Sequence, residues 1–347
     1  MKTTRHKILD GISCSILPGL RGWALRVKGV FYFIAFLPFY LLFASCIDED
    51  LSRCGVNYNI NYVVNQQTDL HSEIRYVLPS AAEQQVAASL ETAMGGMFTD
   101  VAHDLDLSFY VDNALRYHEN NVIDASSASL TFYMNQADYR HLILANVTGE
   151  SQAGIDGADS DLTMTVSSAE GDTIDSHTCP MFSARTDVPL DGRDASYRAD
   201  LYMLNSAVAL VLADGTTNPA AVTGLVDGMA TSFAVNDSTY SFSRAQVTRM
   251  NEFAVEEYHC LYAATLPSRN AATGNAEDGI WQVKAYVTLD GKITENVLHI
   301  GVPLQAGCVK IIKGIIKDDG SITTESPEVG VSVTLDWKPG GNHDIEI

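Results

Sequence analysis

Three aspartates, Asp156, Asp159 and Asp161, crowd into the stretch GIDGADSD. Carboxylate oxygens at that density are the chemistry of a hard cation such as calcium. The glycine and glutamate that an EF-hand loop puts at fixed places are missing, so the expectation is a solvated loop without metal. His103-Asp104 could form half of a nucleophile triad, but no GxSxG elbow, phosphate loop, HExxH or dinucleotide fingerprint accompanies it. The histidines from His71 to His343 stand singly, without the spacing of metal ligands. No catalytic, metal-binding or cofactor-binding residues are therefore expected.

The cysteines speak of location instead of catalysis. Six are present and none forms a CxxC pair, which argues against a zinc site. Cys46 stands directly after a charge-free apolar run, Val30 to Ala44, itself preceded by Lys2, Arg5, Lys7, Arg21, Arg26 and Lys28. A basic segment followed by a short apolar one is the layout of a secretory signal, here residues 1–45. The run is shorter than the ~20 residues of a membrane-spanning helix and contains Pro38. The long basic segment and the absence of methionine between Met1 and Met94 leave room for a start near Val27.

Ala44-Ser45-Cys46 resembles the bacterial lipobox, with Phe43 where leucine is commonest. That resemblance implies acylation of Cys46 after removal of residues 1–45, and anchoring by more than one acyl chain. Asp48, Glu49 and Asp50 read as a solvated tether, and they resemble the acidic export signal of lipoproteins displayed on the outer face of the Bacteroidales outer membrane. Cys54, Cys179, Cys260 and Cys308 would then remain, in a compartment that permits disulfides, with three pairings open.

The chain of 347 residues carries a formal net charge of −21, and removing residues 1–45 takes away six basic residues and a single acid. So acidic a surface repels nucleic acid and anionic headgroups, which leaves the lipid to hold the protein to a membrane. With 46% apolar residues, disorder is not expected. The length suggests two domains.

The elements that must carry any function are mainly strands. Apolar residues alternate with polar ones at Val56 to Val64, Leu105 to Val111, Leu130 and Phe132, Leu162 to Val166, Trp281 to Leu289 and Val329 to Trp337. Asp214-Gly215, Asp290-Gly291 and Asp319-Gly320 are hairpin signals, so consecutive strands are expected to pair antiparallel. Ser80 and Glu83 form a capping-box pattern opening a helix that Gly95-Gly96 should end, with Val86, Leu90, Ala93 and Met94 on one packed face. A second helix is expected from Arg244 to Glu252. Trp281 and Trp337 both fall on apolar phases and are expected in the core, away from any stacking surface. These patterns suggest all-β, antiparallel β-sandwiches with one or two short helices, divided at the turn-rich segment Ser183 to Ala195 into 46–188 and 189–347.

Cys46-Ile47-Asp48-Glu49-Asp50-Leu51-Ser52-Arg53-Cys54, followed by the alternating strand from Val56, resembles the start of the FimB-like fimbrial anchor subunits of Bacteroidales type V pili. DYRHLILAN at Asp138 to Asn146, MFSARTDVPL at Met181 to Leu190 and the strand ending in Trp337 extend the likeness. The resemblance implies two transthyretin-like β-sandwich domains, outer-membrane lipidation, and a role holding the pilus base and limiting its length. It also implies a fimbrial stalk subunit as partner, joined by strand addition. The unbroken apolar phase of Val329 to Trp337, with Pro339-Gly340-Gly341 as a hinge before the tail Asn342 to Ile347, makes the C-terminal segment the candidate for the joint, the alternative being that this is the last core strand of the second domain and the tail is frayed. A tip or adhesin subunit of the same fold and a carbohydrate-binding surface lipoprotein are the alternatives.

Overall fold

The computed structural model describes residues 55–65, 70–98, 101–147, 152–273 and 279–338. Strand β1 (Val56–Asn65) leads into helices α1 (Leu70–Val77) and α2 (Ala81–Met94), a 3-10 turn (Gly95–Phe98), β2 (Ala102–Val111) and β3 (Ala114–Ala125). Next come β4 (Ser127–Met134), β5 (Ala137–Ala145), β6 (Ala153–Asp156), β7 (Thr165–Ser168), β8 (Thr173–Asp175), β9 (Phe182–Leu190) and β10 (Ala195–Met203). The chain continues through β11 (Ser206–Ala213), β12 (Ala221–Asp227), β13 (Ser232–Ala234), β14 (Thr239–Ser241), β15 (Val247–Arg249), β16 (Asn251–Val255) and β17 (Tyr258–Thr265). It closes with β18 (Trp281–Leu289), β19 (Lys292–Ile300), β20 (Val309–Ile316), β21 (Ile322–Thr324) and β22 (Val329–Thr334).

These strands form four sheets. A seven-stranded sheet runs β3-β2-β5-β9-β10-β1-β4, a four-stranded one β14-β13-β7-β6, a five-stranded one β16-β17-β11-β20-β21 and a six-stranded one β22-β19-β18-β12-β15-β8. The period-two pattern sorts side chains between them. Tyr58, Ile60, Leu105, Phe109 and Ile143 pack with Val86 and Leu90 of α2 and with Ala207, Ala209 and Val211 of β11. The opposite face of the seven-stranded sheet sends Tyr110, Leu142 and Leu144 against Val166 and Phe233 of the four-stranded sheet. Val208, Leu210 and Leu212, the other phase of β11, meet Trp281, Val283 and Leu298 of the six-stranded sheet. β11 is thus buried on both faces, which is why SAVALVL reads as a continuous apolar run and not an alternating one.

The all-β sandwich architecture is the expected one, and several local expectations are corrected. Strands consecutive in sequence pair antiparallel as expected, among them β2–β3, β9–β10, β16–β17 and β18–β19, while among the described residues three pairings of strands distant in sequence are parallel: β1 with β10, β11 with β20 and β8 with β15. Arg244 to Glu252 is not a helix but contains β15 and the start of β16. There Gln246 Nε2 donates to the carbonyls of Ala169 and Gly171, both at 2.8 Å, and the segment is drawn into pairing with β12 and β8. Tertiary pairing overrides the local helical pattern.

Asp290-Gly291 does close the β18–β19 hairpin, both residues with positive φ, and Asp319-Gly320 joins β20 to its antiparallel neighbour β21. After Asp214-Gly215, by contrast, the chain leaves the five-stranded sheet for β12 of the six-stranded one. Leu162 lies in a turn and is exposed, so the alternation there reaches a strand only at Thr165.

Helix α2 opens with the full capping box. Glu83 N donates to Ser80 Oγ at 3.3 Å and Ser80 N donates to Glu83 Oε2 at 3.0 Å. Its buried face is Val86, Ala87, Leu90 and Met94, so Ala87 takes the place expected of Ala93. Gly95 keeps right-handed helical angles and the helix tightens into the 3-10 turn. The turn-rich residues between Leu190 and Ala195 link β9 to β10 inside the seven-stranded sheet, and the chain passes to the five-stranded sheet between Met203 and Ser206.

Candidate functional site

Cys46, Asp48, Glu49, Asp50 and Cys54, together with the signal segment and the tail after Lys338, lie outside the described residues. Among the described residues no helix is long and apolar enough to cross a membrane. The three loop aspartates do not converge as ligands. Asp161 is buried and accepts from Arg140 Nη1 at 3.1 Å, whereas Asp156 is exposed. No group of three or more His, Cys, Asp or Glu side chains able to hold a metal occurs among the described residues. His103 pairs through Nδ1 with Asp124 at 2.6 Å, on the surface, and not with Asp104 as a relay. Cys260 is buried, and desolvation pushes its thiol up to about 12, leaving it inert as a nucleophile.

Trp281 is a core residue, 1% exposed, its indole Nε1 donating to the Val302 carbonyl at 2.8 Å. Trp337 departs from the expectation. The left-handed backbone at Asp336 interrupts the alternation that begins at Val329, and turns the indole onto the outer face of the six-stranded sheet. There it lies 4.8 Å from the Tyr286 ring, half-buried, while Trp337 N donates to Ile293 O at 2.7 Å.

An outer strand presents a row of unpaired N–H and C=O groups, which natural sheets protect with short edges, charges or proline. Most outer strands here are protected in that way. β3 carries Arg116, Glu119 and Asp124, β16 carries Glu252, and β6, β8, β14 and β21 are three or four residues long.

Two outer strands lack such protection. β4, SASLTFYM, is eight residues without a charge, paired only with β1 from Val56↔Met134 to Val63↔Ser127. β22, VGVSVT, is six residues without a charge, paired only with β19 from Ile300↔Val329 to Glu295↔Thr334.

The two open edges differ in what flanks them. Val329 is buried, Val331 packs against the core, and then Val333 and Leu335 emerge 41% and 55% exposed. A run of apolar residues leaving the core at an open edge is the surface an added strand would cover. On β4 the exposed apolar group is Tyr133, 73% exposed. The sequence pattern pointed to β22 through its alternation; β4 could have been found only by noticing that no charge interrupts Ser127 to Met134.

A family model described as fimbrillin-A associated anchor proteins Mfa1 and Mfa2 matches residues 79–273. No curated protein matches the chain by sequence. Among solved structures, a candidate adhesin from Bacteroides thetaiotaomicron shares 6% identity over 83% of this chain and 100% of its own, with a TM-score of 0.51. A candidate adhesin from Bacteroides ovatus shares 8% over 81% of this chain and 95% of its own, at 0.50. The fimbrial anchor protein Mfa2 from Porphyromonas gingivalis shares 12% over 82% of this chain and 99% of its own, at 0.46. At these identities the two adhesin likenesses concern the fold alone.

Proposed function

The chain belongs to the family of fimbrillin-A associated anchor proteins Mfa1 and Mfa2, and from that premise we propose that it is an outer-membrane lipoprotein that holds a fimbrium at its base and limits its length. Cys46 is the residue to be acylated, and Asp48, Glu49 and Asp50 direct the lipoprotein to the cell surface. The role is structural: the protein provides a fixed end for a polymer.

The family match carries this reading, and the open edge of β22 supports its mechanism. A fimbrial stalk subunit adds a strand beside β22, its backbone pairing with the free row of the edge and its side chains covering Val333 and Leu335. A polymer that must stop needs one joint at its base and no second one of the same kind.

The experiment is a chromosomal Cys46→Ala substitution followed by cell fractionation and electron microscopy. The reading expects the variant in the soluble fraction and fimbriae released into the medium, longer than on wild-type cells. A variant retained in washed membranes, or fimbriae that stay attached at normal length, would overturn it. Short, attached fimbriae that no longer bind their target would instead indicate an adhesin subunit.

A further inference from the structure

β9 and β10 pair at only two positions, Tyr202↔Ser183 and Met203↔Phe182, although β9 is paired with β5 and β10 with β1 along nearly their whole lengths. From Ala184 and Leu201 onward the two strands part. A cavity of about 500 Å³ opens at this fork, within the size range of small-molecule sites. Strand register fixes which side chains face it. The pairs Leu142↔Arg185 and Leu144↔Ser183 put Arg185 and Ser183 on the face of the seven-stranded sheet that meets the four-stranded one. Tyr202, opposite Ser183, and Asp200, two residues before it, share that face. Phe233 and Val235, both buried, and Tyr240 form the wall on the side of the four-stranded sheet.

The walls are held by bonds of the protein itself. Tyr240 Oη donates to Leu204 O at 2.9 Å, and its ring lies 4.9 Å from that of Phe233. Arg198 Nε and Nη2 donate to Asp200 Oδ1 at 2.8 and 2.7 Å, and Asn65 Nδ2 donates to the same oxygen at 3.2 Å. Asp200 Oδ2 accepts from no group among the described residues, and with the side chain 35% exposed it is open to solvent. Arg185 Nη1 donates to Asn236 O at 2.7 Å and Nη2 stands 3.9 Å from Asp187, which leaves Nε as a donor without a partner among the described residues. Tyr202 is 48% exposed and makes no ring contact among the described residues, so its ring is largely uncovered beside the cavity.

The ligand class follows from the lining. An uncovered aromatic ring beside a free acceptor, a free donor and the Ser183 hydroxyl suits a molecule with an apolar face and a rim of hydroxyls. A pyranose is such a molecule: C–H groups lie on its faces, and each hydroxyl both donates and accepts. Arg185 and Asp200 balance in charge, so the lining selects for neither sign, and a chain of formal net charge −21 repels an acidic sugar. We propose that the cleft between β9, β10 and the four-stranded sheet binds a neutral pyranose sugar, its C–H face on Tyr202 and its hydroxyls on Asp200 Oδ2 and Arg185 Nε. The site is independent of the anchoring role.

Titrations of the purified full-length protein with the methyl glycosides of glucose, galactose, mannose and N-acetylglucosamine, followed by saturation-transfer NMR, test the site. At least one should bind, and more tightly than methyl glucuronide, the acidic match, or cyclohexanemethanol, the apolar match of the ring. Tyr202→Ala should weaken the best binder about tenfold through loss of the stacking surface, whereas Tyr202→Phe, which keeps the ring, should weaken it about twofold at most. Asp200→Asn should weaken it about fivefold, as a charged hydrogen bond becomes a neutral one. If Asp200→Asn disturbs the fold by releasing Arg198, as judged by circular dichroism, the two Tyr202 variants decide the matter. Absence of binding by every glycoside, tighter binding of the glucuronide or of cyclohexanemethanol, or equal affinity in the wild type and Tyr202→Ala would overturn the proposal.

Discussion

Glu83 holds two partners at once: it closes the capping box on Ser80 N and accepts from Lys313 Nζ, a β20 donor 230 residues away in sequence, at 2.9 Å. Burial pushes the Glu83 carboxyl up, but the hydrogen bonds from Lys313 and Ser80 outweigh it and the net displacement is downward. One side chain therefore starts α2 and fastens it to the five-stranded sheet, where α2 also meets β16 and β17.

Removing the cap should be felt globally. Ser80→Ala is expected to cost about 1 kcal/mol. Glu83→Ala should cost at least as much, because it removes the acceptor for Ser80 N and the partner of Lys313 as well. Urea midpoints of the two variants and the double variant check this. A double-variant cost below the sum of the two single costs is expected, since both changes act on the same box.

His141 makes the fold sensitive to acid. Its ring stacks on Phe109 at 3.8 Å and sits within hydrogen-bonding distance of Tyr62 Oη, 3.2 Å away. Burial pushes its imidazole down to about 3, against a weaker upward effect of the Ser108 carbonyl, and burial pushes His177 down to about 4. An imidazole in the unfolded chain titrates near 6.5, so the unfolded state binds protons more tightly and stability falls as pH drops from about 6.5. Urea midpoints between pH 7.5 and 5, above the range of ordinary carboxylates, should fall with pH in the wild type. His141→Gln should flatten that slope, whatever it does to stability at neutral pH; an unchanged slope would refute the assignment.

Trp281 anchors the six-stranded sheet. Its ring is buried and its Nε1 bond to Val302 O ties β18 to the segment after β19. Trp281→Ala should cost about 3–5 kcal/mol through the cavity left behind, and Trp281→Phe less, leaving the Val302 carbonyl without its donor. Thermal unfolding followed by circular dichroism measures both.

The two open edges can be told apart by one charge on each. Val333→Lys on β22 and Thr131→Lys on β4 both place a lysine at an exposed position and should leave stability within about 0.5 kcal/mol. Only Val333→Lys is expected to release fimbriae from cells. Deleting 338–347 keeps β22 whole and asks whether the tail shares in the joint: shed fimbriae would assign it a part, and attached fimbriae of normal length would confine the joint to the strand edge. Release by Thr131→Lys alone would move the joint to β4.

Alternation made β1, β2 and β18 legible because one phase of each is buried and the other is not, and that contrast is written directly in residue types. The capping box at Ser80 and Glu83 and the Asp290-Gly291 turn were equally plain, since each depends on a few neighbouring residues acting through local backbone geometry. Helix α1 and the strand character of Val247–Arg249 were not, because those segments take their form from partners far away in sequence. The parallel joins, the burial of both faces of β11 and the turning of Trp337 away from the phase of Val329 are likewise matters of which strand lies beside which. The same holds for function. The proposed acylation site Cys46 and the acidic residues Asp48, Glu49 and Asp50 are short motifs, readable in order along the chain. The open edge of β22 and the cleft between β9, β10 and the four-stranded sheet exist only once distant segments have paired: an edge is open, and a ring exposed, by virtue of what the folded neighbours leave uncovered.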